Sequence, residues 1–144
     1  MILTSYSSQG ILEHLLFGLN QNGIGSFLGI RGSNAIPVAP SKVFVKNNLI
    51  YSYLRRTGPN NDNVYIVNIA SNTNYWINLT VQDCSISVSR DSDKALVWDT
   101  NSRLYIFSIS MNFTLLYVFN STVVTPHDKT NMISFSQDGQ LAII

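Results

Sequence analysis

Few residues in this chain could do chemistry, and their spacing limits what they can do. His14 and His127 are the only histidines. Neither stands at metal-ligand spacing from another His, Cys or carboxylate, so no histidine-based metal site is read. Cys84 is the single cysteine. It can build no internal disulfide, no base lies beside it, and it reads as a buried, inert thiol. His127 and Asp128 are neighbours whose side chains point apart in extended chain, which reads as a solvated loop. Asp91 and Asp93, near Asp83 and Arg90, suggest a calcium loop only until Lys94, a cation where a ligand is wanted; a hairpin turn is the better reading. Gly23, Gly25 and Gly29 are spaced one residue off the dinucleotide fingerprint and lack its strand-to-helix setting. Neither a phosphate-cradling glycine loop nor a nucleophile elbow occurs. No catalytic residue, metal site or cofactor follows, and the expectation is a protein that is not an enzyme.

The composition points to strands. Of 144 residues, 45% are hydrophobic and 12% charged, with a formal charge of +1. A chain without basic excess is poorly suited to neutralising phosphates, so nucleic acid is not expected as a partner. There is one Glu (Glu13), against sixteen Asn, seven Tyr and seven Phe, a balance that suits strands and turns. The 24 residues from 104 to 127 lack Asp, Glu, Lys and Arg, long enough to span a bilayer. Asn112 falls mid-stretch among Ser and Thr, however, and an amide is costly there. Two strands and a turn are expected, not a membrane span. No basic residue precedes Arg31, so the secretory-signal layout is missing; the compartment stays open, with the cytoplasm favoured. Sequons at Asn78, Asn112 and Asn120 are the number that chance yields from sixteen Asn, and give secretion no support.

Internal repetition is the strongest signal. Residues 63–79 (NVYIVNIASNTNYWINL) align at an offset of 40 with residues 103–119 (RLYIFSISMNFTLLYVF). Tyr65 meets Tyr105, Ile69 meets Ile109 and Asn72 meets Asn112. Each copy is an apolar run, a short polar turn and a second apolar run, which is a hairpin. Another hairpin precedes each: 41–54 (SKVFVKNNLIYSYL) and 85–98 (SISVSRDSDKALVW), beginning a third time at 132–144 (MISFSQDGQLAII). The unit is therefore four short antiparallel strands: 41–46, 49–54, 63–69 and 74–80, then 85–89, 94–99, 103–109 and 113–119. Residues 1–31 read as the last strands of an earlier unit. A helix is the competitor there, since Ile11, Leu12, Leu15, Leu16 and Leu19 also fit its period.

These units resemble the blades of WD-repeat and YVTN-type β-propellers, the opening pattern ISFSQDGQLAI above all. The likeness covers residues 41–144. Trp98-Asp99 spells the dipeptide of the WD family but ends the second strand of its unit, not the third. No Gly-His pair precedes it, so the family's hydrogen-bond network is not implied. The expected fold is all-β, an incomplete propeller of four-stranded blades. Residues 1–40 hold a partial blade and linker, 41–80 and 85–120 hold blades, and 131–144 the first hairpin of another. A small β-sandwich is the alternative. Propellers close with four to eight blades, so the chain is expected to be a fragment or to complete its ring with another chain.

The resemblance also implies a binding face, because the loops between strands two and three and between blades emerge together in such folds. That face would carry Arg31, Arg55, Arg56, Asp99, Thr100, Asn101, His127, Asp128 and Lys129. The loop 55–62 is longer than its counterpart at 99–102, a mild sign of binding. Lys42, Lys46, Arg55 and Arg56 form a run of cations that an anionic partner could use, but solvated strand-edge charges are the better reading. The expected function is a non-enzymatic scaffold that presents these loops to another protein. The alternatives are part of a lactonase- or quinoprotein-like enzyme propeller, and a secreted or cell-surface recognition domain.

Overall fold

A computed structural model describes residues 1–23, 25–99, 103–120, 134–136 and 142–143. The described chain is all-β, with no helix among those residues. Strands β1 (Ile2–Tyr6), β2 (Ile11–Leu19) and β3 (Gly25–Ala35) form a three-stranded antiparallel sheet in that order. A four-stranded sheet follows, in the order β4 (Lys42–Lys46), β5 (Leu49–Leu54), β6 (Asn63–Asn68), β7 (Asn74–Asn78). A second has β8 (Ser85–Val88), β9 (Lys94–Trp98), β10 (Arg103–Ser108) and β11 (Thr114–Asn120), again in sequence order. Finally β12 (Ser134–Phe135) pairs antiparallel with β13 (Ala142–Ile143). The eight strands expected between residues 41 and 119 are therefore present within a residue or two at each end, while β3 runs past residue 31, where the N-terminal strands were expected to end. Asp138 and Gly139 lie outside the described residues.

The helical reading of the N-terminal segment rested on the period of its leucines, and the burial pattern shows a strand instead. Leu12, His14 and Leu16 are buried, while Glu13, Leu15 and Phe17 between them are only partly so. Such alternation has a period of two. The helical period was an accident of leucines occupying both faces of one strand.

The offset of 40 survives as geometry. Asn72 and Asn112 both take left-handed φ values, +56° and +58°, in equivalent β6–β7 and β10–β11 turns. Ile69 N–H donates to the Asn48 carbonyl and Ile109 N–H to the Asp93 carbonyl, at 3.0 and 2.8 Å. The two hairpins of each copy are thus tied together at one end. Asp91 and Asp93 belong to the β8–β9 turn. Ser89 Oγ donates to Asp91 Oδ1 and accepts from the N–H groups of Asp93 and Lys94.

The chain divides into two compact units, Met1–Leu54 with Val64–Trp76, and Arg55–Asn63 with Ile77–Ile144. In the first, Leu12 and Ile36 pack against Ile50, Leu54, Tyr65 and Val67, so the three-stranded sheet covers one face of β4–β6. Asn34 Nδ2 donates to the Tyr65 hydroxyl at 2.6 Å within this contact. Gly32 is required there: its φ is +67°, and an added Cβ would lie 2.6 Å from Val67 Cγ2. In the second unit Leu96, Trp98 and Leu104 form a cluster joined by Ile106 and Phe135.

Strands β5, β6 and β9 are buried residue after residue, at 50–54, 63–67 and 95–98. Consecutive burial in a strand means cover on both faces, unlike the alternation of a sheet with one wet face. Outer strand β11 is the opposite: it forms a sheet edge and is exposed along its length, Leu115, Leu116, Tyr117, Val118 and Phe119 included.

Candidate loop site

The second unit gathers its connecting loops around two buried aspartates. Asp62 ends the β5–β6 loop and is wholly buried. Its Oδ1 accepts from Arg56 N–H at 2.8 Å and Asp83 N–H at 3.0 Å, and its Oδ2 accepts from Cys84 N–H at 3.0 Å. Its own N–H donates to the Val81 carbonyl, and Leu79 N–H donates to its carbonyl. One carboxylate thus holds backbone donors of both the 55–62 and 79–84 loops. Ionised acceptors make stronger hydrogen bonds than neutral ones, so these loops are fixed where most loops are free.

Asp99, at the start of the β9–β10 connection, plays a similar part. Oδ1 accepts from Arg103 N–H at 2.9 Å, and Oδ2 accepts from Arg103 Nε at 2.8 Å and the Tyr105 hydroxyl at 3.2 Å. The Arg103 Cζ stands 6.0 Å from the centre of the Tyr105 ring. Burial, and then the charge of Asp99, raises the Tyr105 phenol above its ordinary pKa. The hydrogen bond and charge of Asp99 likewise raise Arg103.

Between these supports lies a cleft of about 300 Å³, whose lining includes Asn61, Thr80, Gln82, Asp83, Asp99 and Arg103. An adjoining recess of about 340 Å³ shares Asn61 and adds Arg56, Asn63 and Asn78. The cleft is lined by amides, hydroxyls and ion-paired side chains, and the recess mainly by asparagine amides. Gln82 Nε2 donates to the Pro59 carbonyl and to Asn61 Oδ1, closing the rim. Arg55 Nε donates to Asp83 Oδ1 at 2.6 Å, and Arg56 Nη1 donates to Asn63 Oδ1 at 3.1 Å. Asp83 holds a φ of +50°, a left-handed value that costs a non-glycine residue energy.

The structure sorts the residues expected on the binding face. Arg55 and Arg56 stand at the loop site. Asp99 stands there too, but as a buried support beneath Arg103, not as a contact. Arg31 is a correction: β3 runs on to Ala35 and carries Arg31 within the strand, not in a loop. Its Nε donates to the Ile69 carbonyl, and Ile69 belongs to the hairpin-turn end of its sheet, so Arg31 leaves the proposed face. Thr100, Asn101, His127, Asp128 and Lys129 lie outside the described residues. Asn78 ends β7 and accepts from Asn63 Nδ2, Asn112 occupies its left-handed turn, and Asn120 ends β11. Lys42 and Lys46 bound β4, an edge strand, where charges discourage pairing with another chain.

Cys84 is buried, and burial, followed by the charges of Asp62 and Asp99, pushes its thiol well up. That matches an inert thiol. Trp98 closes β9, the second strand of its sheet, as its place in the repeat requires. Among the described residues no group of three His, Cys, Asp or Glu could hold a metal ion. No described helix is long and apolar enough to cross a membrane.

Arg103 and Asp62 were missed in the sequence. The spacing Asp99-x-x-x-Arg103 could have signalled the first, since a tight strand connection brings such a pair together. Asp62 carried no comparable signal, because its partners are backbone groups from two separate loops. No family model matches the chain, and no curated protein is significantly similar to it.

Proposed function

We propose that this chain is a non-enzymatic binding scaffold of the β-propeller class, presenting its β5–β6, β7–β8 and β9–β10 loops to another protein. The observation that carries the reading is the Asp62 carboxylate, which ties three backbone N–H groups from two loops at 2.8–3.0 Å. A surface held in this way loses little conformational freedom on binding, and that saving favours affinity. The propeller reading draws support from the consecutive burial of β5, β6 and β9. A two-layer sandwich leaves one face of each sheet wet, whereas stacked blades cover both faces of their inner strands.

The test is a binding comparison between the wild-type chain and an Arg55→Glu/Arg56→Glu variant, checked for fold by circular dichroism. A protein captured by the wild type is identified, purified and bound again to each form. The expected result is binding to the wild type and loss in the variant. Undiminished binding to the variant removes the loop face from the account.

A further inference from the structure

Two arginines of the loop site, Arg55 and Arg103, are anchored in a way that leaves their forks free of the described side chains. Arg55 and Arg103 each bond an aspartate through Nε, and among the described residues neither has a side-chain bond from Nη. A guanidinium held by one edge keeps its terminal amino groups for a second acceptor, in a geometry that matches a carboxylate. Anchoring also removes much of the rotamer freedom a free arginine would lose on binding. The Tyr105 ring beside Arg103 restrains that guanidinium further.

Depth separates the charges. Asp99 is 4% exposed and the Arg103 side chain above it 47%, while Asp62 is fully buried. Asp83 is the exception, as exposed as its partner Arg55. An approaching ligand therefore meets the Arg103 guanidinium ahead of the Asp99 carboxylate, while Asp83, itself on the lining, is engaged by Arg55. Arg103 lines the cleft, and Arg55 is held on Asp83, another lining residue. The remaining lining of Asn61, Thr80 and Gln82 offers neutral donors and acceptors of the kind a peptide backbone uses.

We propose that the loop site recognises an acidic peptide segment, whose carboxylates are gripped by the Nη groups of Arg55 and Arg103 while its backbone lies along the amide-lined cleft. This rests on the loop-face reading and names its partner's chemistry. Nucleic acid fits less well: the chain carries a net charge of +1, and each of these two guanidiniums is already half-neutralised by its aspartate, so there is no row of free cations to follow a phosphate backbone.

The experiment is a fluorescence anisotropy titration of the full chain with a capped, labelled peptide of alternating glutamate and serine. Controls are the same peptide with glutamine for glutamate, and a single-stranded oligonucleotide. The expected result is saturable binding of the glutamate peptide alone. Arg55→Gln should weaken it about tenfold, the effect of one lost charge-assisted pair. Removing Arg103 outright would strand the buried Asp99, so Arg103→Lys is used there, keeping the charge and losing the fork; it should weaken binding several-fold. Equal binding of the glutamine peptide, preference for the oligonucleotide, or indifference to both variants overturns the proposal. If the captured partner requires Arg55 and Arg56 but the glutamate peptide neither binds nor competes with it, the acidic-peptide proposal fails and the loop face stands. If that partner ignores Arg55 and Arg56, the loop face itself fails.

Discussion

Acid should loosen the first unit through a single side chain. His14 is fully buried, with Nδ1 3.0 Å from Thr4 Oγ1 and Nε2 3.4 Å from Ser52 Oγ. It thereby links β1 and β2 to β5. Its cross-strand neighbour on β3 is Arg31, a cation whose Nε is committed to the Ile69 carbonyl. Glu13, adjacent on β2 and directed to the other face, accepts from Ser33 Oγ and offers no compensation. Burial lowers the His14 pKa from 6.5 to about 4. The unfolded chain then binds a proton near pH 6.5 that the folded unit refuses until about pH 4. Stability is full above pH 6.5 and falls as the pH drops from there toward 4, by about 2 kcal/mol at pH 5 and about 3 kcal/mol at pH 4. The assay is urea unfolding across this range in a Trp98→Phe background, leaving Trp76 beside Tyr65 as the fluorescent reporter. Trp98 Nε1 is buried with no partner among the described residues, so that background change removes no hydrogen bond to any of them. His14→Gln should lose the acid sensitivity, so the stability difference between the two proteins at pH 5 departs from its pH 7.5 value by about 2 kcal/mol. Parallel pH profiles for the two, or a His14 imidazole that titrates near 6.5 in the folded chain, would refute the reasoning.

Three further outcomes are expected. Asp62→Ala removes the acceptor of the Arg56 and Cys84 N–H groups and one of the two acceptors of Asp83 N–H, which also bonds the Arg56 carbonyl. It should cost about 2 kcal/mol or more, with Asp62→Asn costing less because it keeps an acceptor; urea midpoints read both. Gly32→Ala adds a Cβ 2.6 Å from Val67 Cγ2 at a φ of +67° and should destabilise the first unit by about 2 kcal/mol, partly relieved by Val67→Ala. Cys84 should resist a thiol reagent in the native chain at mildly alkaline pH and react once urea unfolds it; fast native labelling would contradict its burial.

The strands were legible because each unit carries its own local signals. Alternation in 42–46, β-branched runs in 63–69 and 103–109, and paired turn residues such as Asn47-Asn48 specify hairpins without reference to anything distant. Asn72 and Asn112 matched in the alignment because the same left-handed turn position tolerates asparagine in both copies. The loop site was half legible. Arg55 and Arg56 stood out as cations in a long loop, but which arginine belongs depends on strand ends that alignment leaves loose. Arg31 was misassigned because β3 continues past the expected strand. Arg103 was passed over because it opens a strand, where a charge reads as a solvated end. Asp62 was illegible for a different reason: a carboxylate that captures backbone N–H groups from residues 56, 83 and 84 has partners without side-chain identity. Long-range backbone capture leaves no pattern in a single sequence.

The central claim is that the binding loops are fixed in place by their aspartates, and amide hydrogen exchange tests it most directly. Resolved residue by residue in the native chain, the N–H groups of Arg56, Asp83, Cys84 and Arg103 should exchange as slowly as those of β9 and β10. Asp62→Ala should release Arg56 and Cys84 together, with Asp83 N–H keeping its bond to the Arg56 carbonyl and Arg103 staying protected. If these four amides exchange at the rate of open loops in the wild-type chain, the loops are not held, and a rigidly presented binding face is wrong.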